Sequence, residues 1–303
     1  MSFRELLLVP TSPAFGGVSR KYEESEWVLL GTPFDSTTTY RPGSRFAPRR
    51  VREISQEIDL VNPFIPELRY EMYPMCDLGD LVFTTDVNEF LRCYCRVLRE
   101  LLSDSKRVLV LGGEHTVTIG TARVLRGLSR KVWIVYFDAH LDLYDEYPRG
   151  CRISHATVVS RLIECDCEVV AIGYRAYSEE EYRKLRKLTF WISASDVVRS
   201  REECFLELAQ VLQCVSGDVV ISLDVDVLDP SVAPAVGNPE PGGLDYCTLL
   251  ELLRIVLLSL GQKVKVIEIV EYTPMLDHNG VTGCLVAKLV SDLYLLALIG
   301  SKC

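Results

Sequence analysis

Val219-Val-Ile-Ser-Leu-Asp-Val-Asp-Val-Leu-Asp-Pro230 is the stretch from which the fold of this 303-residue chain can be read. It opens with an apolar, β-branched run, 219–223, of the length expected of a buried parallel strand. Asp224 and Asp226 follow, two residues apart. In extended backbone their side chains project together from one face at the strand's carboxyl end. Pro230 stops central-strand pairing, and Pro234, Gly237, Pro239, Pro241, Gly242 and Gly243 make the continuation a stiff, turn-rich loop. Two carboxylates side by side at the end of a buried strand are costly unless protons or a cation neutralise them, and a metal ion is the readiest answer.

Working outward, further apolar runs at 26–33, 108–111, 132–137, 168–173, 188–192 and 263–269 read as strands. Helical periodicity or start signals mark 48–58, 88–103, 116–128, 155–164, 178–187, 201–215, 245–260 and a last helix from 281, whereas 59–80, with prolines at 63, 66 and 74, reads as irregular. Alternating helices and continuously apolar strands predict an α/β fold with a mostly parallel sheet covered on both faces. No linker, repeat or low-complexity segment interrupts the pattern, so residues 1–303 are expected to form a single domain.

Composition narrows the function. Apolar residues make up 48% of the chain and charged residues 25%, an ordinary globular balance. A net charge of −9 argues against nucleic acid or an anionic membrane as partner and is compatible with a cationic small substrate. The start, Met1-Ser-Phe-Arg-Glu5, leads into no secretory hydrophobic region, and 281–300 carries Lys288 and Asp292, as expected of a core helix and not a membrane span. A cytoplasmic protein is expected. The eleven cysteines include the pairs Cys93/Cys95 and Cys165/Cys167 but no C-x-x-C. Free thiols are the expectation, with one or two structural disulfides as the alternative.

In an open α/β sheet, ligands bind beyond the carboxyl ends of the strands. Three strands end there in metal-ligand side chains: His115; Asp138, His140 and Asp142; Asp224 and Asp226. The i, i+2, i+4 spacing of the middle set places all three on one face if the backbone stays extended. Of the four histidines, three (His115, His140, His155) fall at this edge. Any one alone reads better as an ordinary core or surface residue, but three together do not. Four carboxylates and two imidazoles exceed one tetrahedral zinc site and suit two manganese-like ions about 3.5–4 Å apart sharing a bridging water. Asp-x-Asp by itself is a weak signal, but the stretch lacks the glycine and late glutamate of a calcium loop.

Gly112-Gly-Glu-His115, Phe137-Asp-Ala-His-Leu-Asp142 and Ser222-Leu-Asp-Val-Asp-Val-Leu-Asp-Pro230 resemble the three metal-binding signatures of the ureohydrolases, the arginase and agmatinase family. The resemblance runs from about Gly31 to about Leu295. It implies a three-layer α/β/α fold, two Mn2+ ions, hydrolysis of a guanidino group to urea and an amine, and a homo-oligomer, trimer or hexamer. It gives ligand roles to His115, Asp138, His140, Asp142, Asp224 and Asp226, with Asp142 also orienting the attacking hydroxide. Glu271, in Val266-Ile-Glu-Ile-Val-Glu-Tyr-Thr-Pro274, matches the glutamate that grips the guanidinium, a planar cation that a carboxylate's two acceptors suit. His155, in Ile153-Ser-His-Ala156, matches the loop histidine that shuttles a proton to the leaving amine. His278 reads as structural.

Gly31-Thr-Pro-Phe-Asp35, Arg41-Pro-Gly-Ser-Arg-Phe46 and Asp142-Leu-Tyr-Asp-Glu-Tyr147 are similar to the agmatinase branch. The loop after the second signature lacks the Asn, Thr and Ser with which arginases hold an amino acid. Asp145 and Glu146 in it are expected to repel a substrate carboxylate, although Arg149 and Arg152 are able to bind one. Agmatine, giving putrescine and urea, is therefore the expected substrate, with arginine or a guanidino acid second. Hydrolysis of a formimino or amide group, and a non-catalytic metal-binding scaffold, are the rival readings. One departure bears on the substrate: Ala235, Val236 and Asn238 stand where the family usually has Gly, Thr and Thr.

Overall fold

The computed structural model describes residues 2–301. Its strands are β1 (Leu8–Val9), β2 (Trp27–Thr32), β3 (Cys76–Leu81), β4 (Arg107–Gly112), β5 (Val132–Phe137), β6 (Glu168–Tyr174), β7 (Phe190–Ser193), β8 (Asp218–Asp224) and β9 (Val264–Val270). They form one nine-stranded sheet in the order β1-β3-β2-β4-β9-β8-β5-β6-β7. Every pairing is parallel except that of β1 with β3.

The helices are α1 (Phe3–Leu7), α2 (Ala47–Ile54), α3 (Val87–Ser103), α4 (Val117–Leu128), α5 (Val158–Glu164), α6 (Glu179–Lys184), α7 (Ala194–Arg199), α8 (Arg201–Gln213), α9 (Tyr246–Leu260) and α10 (Val281–Gly300). Alternate strand residues sort into two cores, one per face of the sheet. Leu29, Leu109, Val135, Ile221 and Ile267 pack with α2, α8, α9 and α10. Val28, Val108, Ile134, Val220 and Val266 pack with α3, α4 and α5. The result is a three-layer α/β/α sandwich. α10 has the length and apolarity of a membrane span, but most of it is buried against the sheet and its neighbouring helices. The ten described cysteines are all free thiols.

Three local expectations need correction. Residues 76–81, read as irregular, are a strand whose Asp77 and Asp80 hide its character. Both carboxylates pair with the buried Arg52, at 2.8 and 2.6 Å, which makes two acids tolerable in a paired strand. The helix expected over 48–58 ends at Ile54. Residues 3–9 and 194–199, given no element above, form α1, β1 and α7, each too short to show a period.

What positions the site is the strand order. The chain passes from β4 to β5, yet β9 and β8 lie between them in the sheet. The four central strands therefore open at their carboxyl ends onto a switch point, where α/β sheets hold their ligands.

Candidate active site

β4 ends in two glycines, and the second must be one: a Cβ on Gly113 would lie 2.0 Å from the Phe34 carbonyl oxygen. The chain then delivers His115 just ahead of α4. Its Nδ1 lies 3.0 Å from Asp138 Oδ2, 3.2 Å from Asp224 Oδ2 and 3.9 Å from Asp142 Oδ2. On the far side of the ring, Nε2 meets Ser222 Oγ at 2.8 Å; Ser222 in turn lies 2.9 Å from Thr118 Oγ1, which donates to the buried Glu268 at 2.6 Å. Tyr136 stacks on the imidazole at 4.6 Å and donates its hydroxyl to Asp142 Oδ2 at 2.5 Å. These contacts lock the ring with one nitrogen aimed at the carboxylates, as outer partners of metal-binding histidines do.

The extended ladder expected for residues 138–142 is not there. β5 stops at Phe137, and Asp142 turns back through a φ of +48°. The three side chains converge by turning. Asp138 Oδ1 lies 3.3 Å from His140 Nδ1, which lies 3.0 Å from Asp226 Oδ2. Asp226 likewise is not in extended strand. It sits in a single 3-10 turn, Val225–Val227, where Asp224 Oδ1 accepts its backbone N–H at 2.8 Å.

Two donor groups result, His115–Asp138–Asp224 and Asp138–His140–Asp226, sharing Asp138. Separations of 3.0 to 3.3 Å between these atoms match neighbouring ligands of an octahedral ion, whose bonds of about 2.1 Å set them roughly 3.0 Å apart. Charge points the same way. Burial, then the Asp138 charge, drives the Asp142 carboxyl far above its ordinary range. Burial with Asp226 and Asp138 does the same to Asp224, and burial with Glu114 to Glu271. Acids so crowded ionise together only around cations. The donor set, oxygen-rich with two imidazoles and no thiolate, fits two manganese-type ions.

Glu271 is the first residue past β9, at a φ of +68°. A left-handed non-glycine residue costs on the order of 1–3 kcal/mol and is held only by strong local restraint. Here the Glu271 N–H donates to the Gly113 carbonyl and Glu271 Oε1 accepts from the His115 N–H, both at 2.8 Å. Its other oxygen has no hydrogen-bond partner among the described residues, and the side chain lines the cavity.

His155 Nδ1 stands 3.7 Å from Glu271 Oε1, while Nε2 accepts the Thr39 N–H at 3.1 Å. The ring's proton is therefore on Nδ1. Burial, together with His140 and His115, pushes the imidazole down from 6.5 to about 4. The unfolded chain protonates this residue as pH falls past about 6.5, while the folded chain resists until about pH 4. Stability from this residue is thus complete above about pH 6.5, falls by roughly 3 kcal/mol between those limits, and is level below them. The urea-unfolding midpoint of His155→Asn should fall less over that window than that of the unaltered protein; parallel curves would count against it.

Several residues escaped the sequence reading. Glu114 accepts the Thr37 N–H at 2.9 Å and the Thr38 hydroxyl at 3.1 Å, fixing the loop that brings Thr39 to His155. Its only signal was its place inside Gly112–His115. Arg175 ties the loops together: its guanidinium donates to the carbonyls of Asp226 at 2.8 Å, Glu240 at 2.6 Å, and Gly173, Val227 and Leu228 at 3.2 Å each. Arg175→Ala should lower stability by about 3 kcal/mol, because half-buried carbonyls lose a charged donor. Thermal melts with and without manganese would check it, and a change below about 1 kcal/mol would show the ties to be incidental.

The cavity over these groups measures about 290 Å³, the lower end of the range for ligand pockets and suited to a small linear molecule. All eight side chains singled out from the sequence line it: His115, Asp138, His140, Asp142, His155, Asp224, Asp226 and Glu271. Thr39, Tyr144, Tyr147, Tyr177, Glu181 and Asn238 complete much of the wall, and no lysine or arginine lines it among the described residues. His278 is exposed and outside it.

The 145–152 loop corrects the expectation about charge. Asp145 and Glu146 do not line the cavity. Asp145 pairs with Lys184 at 3.0 Å, and Glu146 accepts the Gly150 N–H at 3.1 Å. Arg149 and Arg152 are outside as well, and Arg152 pairs with Glu164 at 2.8 Å.

Comparison with known proteins identifies the family. The model of the arginase family matches residues 25–296. An agmatinase of Bacillus cereus is 31% identical, over 90% of this chain and 92% of the relative. A guanidinobutyrase of Pseudomonas aeruginosa is 31% identical over 93% and 92%. The crystal structure of agmatine ureohydrolase of Thermoplasma volcanium superposes with a TM-score of 0.83 at 31% identity, covering 97% of this chain and 96% of that one.

Proposed function

Because this chain belongs to the arginase family and is a hydrolase of guanidino compounds, we propose that its substrate is agmatine, cleaved to putrescine and urea. We further propose two manganese ions as cofactor, held by His115, Asp138, His140, Asp142, Asp224 and Asp226. The observation that carries the choice of substrate is the wall of the cavity. With no lysine or arginine among its described lining residues, it offers no counter-charge to a tail carboxylate, while Glu271 and Glu181 favour a cation.

Bound in this site, the ion pair supplies Lewis acidity and an acidified water. The protein does the rest. Asp142, fixed by the Tyr136 hydroxyl, orients that water. Glu271 holds the guanidinium through its free oxygen, placing the central carbon over the water. His155, neutral at rest with its proton on Nδ1 beside Glu271, takes up the proton that the attacking water gives up and, as a transient imidazolium, delivers one to the departing alkyl nitrogen as the C–N bond breaks, which returns the ring to its neutral form. Burial lowers the imidazole's pKa, which keeps the resting ring neutral beside a cationic substrate and makes the transient imidazolium a strong acid.

A guanidino acid is the second reading, favoured by Asn238, whose side-chain amide lines the cavity and has an N–H₂ group able to donate to a carboxylate. Urea release from agmatine, arginine and 4-guanidinobutyrate after manganese loading decides between them. Agmatine should lead in kcat/KM by about 10-fold or more. A lead for the butyrate would overturn the choice of substrate. No urea from any of the three would reopen the formimino and scaffold readings. Our reading also keeps a cytoplasmic homo-oligomer, which sedimentation and fractionation would test.

A further inference from the structure

Resting on the reading of this cavity as a guanidino-hydrolase site, we infer that Tyr147 and Tyr177 form an aromatic subsite that selects the substrate's distal ammonium through their ring faces. The two side chains come from different loops, after β5 and after β6, and line the same cavity as Glu271. In the sheet, β9 and β6 are separated by β8 and β5, three strand spacings or roughly 14 Å. Glu271 and Tyr177 thus reach the one cavity from strand ends three spacings apart, which leaves room for an extended substrate gripped by Glu271 to run toward the tyrosines.

The rings are held in place before any ligand arrives. Tyr147 stacks on Tyr144 with centroids 4.9 Å apart, and Tyr177 on Tyr182 at 5.3 Å. Tyr177 also meets Tyr174 at 5.9 Å. The backbone beside Tyr177 is pinned, since the Ala176 N–H donates to the Ala139 carbonyl at 2.9 Å. Yet Tyr147 is 40% and Tyr177 49% exposed, so two large rings keep open faces at the mouth of one small cavity. Ordered aromatic faces attract an alkylammonium by cation–π contact.

The surroundings reinforce that sign of charge. Glu181 is buried in the wall, its oxygens accepting the Leu143 N–H at 3.1 Å and the Ser178 N–H at 2.8 Å. Its neighbour Lys184 is occupied with Asp145 and Glu180, at 3.0 and 2.7 Å, and does not line the cavity. Glu181 beside the tyrosines already accepts from the Leu143 N–H and from the Ser178 N–H and hydroxyl, so it gives the wall negative charge while the rings offer the open contact surface. The π faces of Tyr147 and Tyr177 are what this part of the wall turns toward a charged tail.

The test pairs agmatine with butylguanidine, which has the same chain length and no ammonium, on the manganese-loaded protein. In Tyr177→Leu the agmatine-to-butylguanidine ratio of kcat/KM should fall about 10-fold, mainly through the KM for agmatine, while Tyr177→Phe keeps the ratio within about 2-fold. Tyr147→Leu should move it the same way. Melting temperature and manganese content, measured on each variant, separate a folding defect from lost recognition. An unchanged ratio in both leucine variants overturns the inference, as does a Phe variant as impaired as the Leu one, which would assign recognition to the hydroxyl. If the unaltered protein releases urea from neither compound, the guanidino-hydrolase reading fails and takes this one with it; if it releases urea and only the ratio fails to move, the subsite alone is wrong.

Discussion

Asp226→Asn should leave a folded protein that holds about one manganese ion in place of two and has lost on the order of 10³-fold in kcat. The substitution keeps shape. Asp226 Oδ1 accepts the Ala139 N–H at 3.0 Å, a bond the amide oxygen of asparagine can take over. What changes is the atom facing His140 Nδ1, at 3.0 Å in the structure, which becomes an uncharged N–H₂ without a lone pair to give. Even partners one bond removed from a metal are worth 10–100-fold in affinity, so removing a donor together with its charge should cost more. Melting curves offer a second readout. Asp226 is one of the charges that drive the neighbouring Asp224 carboxyl upward, so removing it should leave the ion-free protein no less stable than before. The rise in melting temperature on adding manganese should shrink at the same time, because that rise reports binding to the folded state. Full metal content with full turnover would mean that Asp226 holds no ion.

Glu271→Gln should retain both ions and still lose roughly 10²–10³-fold in kcat/KM for a guanidino substrate. Glu271 belongs to neither donor group, which separates this variant from the first. Glutamine can keep the contact with the His115 N–H through its amide oxygen, and the loop geometry with it. The amide then turns N–H donors toward the cavity, where the guanidinium also brings only donors. The complex loses a charge-assisted pair and gains a donor–donor conflict. Metal content and urea release measured together give the answer. Loss of manganese would place Glu271 among the ion-holding residues, and near-normal kcat/KM would remove it from substrate binding.

The parts of this molecule legible in its sequence are those governed by local chemistry. Strands buried on both faces must be continuously apolar, so β4, β5, β8 and β9 announce themselves, and the site residues follow directly from their ends. β3 does not, because what makes Asp77 and Asp80 tolerable is Arg52, 25 and 28 residues away. The convergence of donors was legible while the path to it was not. Spacing two apart suggested extended backbone, whereas Asp142 arrives by a left-handed residue and Asp226 by a 3-10 turn. Arg175 and Tyr177 drew no reading from the sequence, since their significance lies in the carbonyls and rings they meet across loops. The expected effect of Asp145 failed for the same reason: Lys184 on α6 turns it outward.

The order of the sheet also governs when activity can arise as the chain is made. His115 and Asp138 are synthesised early, but β8 and β9, which separate their strands, span Asp218 to Val270. A nascent polypeptide lacking that last third has the two strands with nothing between them, and the acids that complete each donor trio are still unmade. Long-range parallel pairing of this kind is slow to assemble and domains close as units. Ion capture is therefore a late event in the life of the chain, one that truncated or half-finished copies cannot perform.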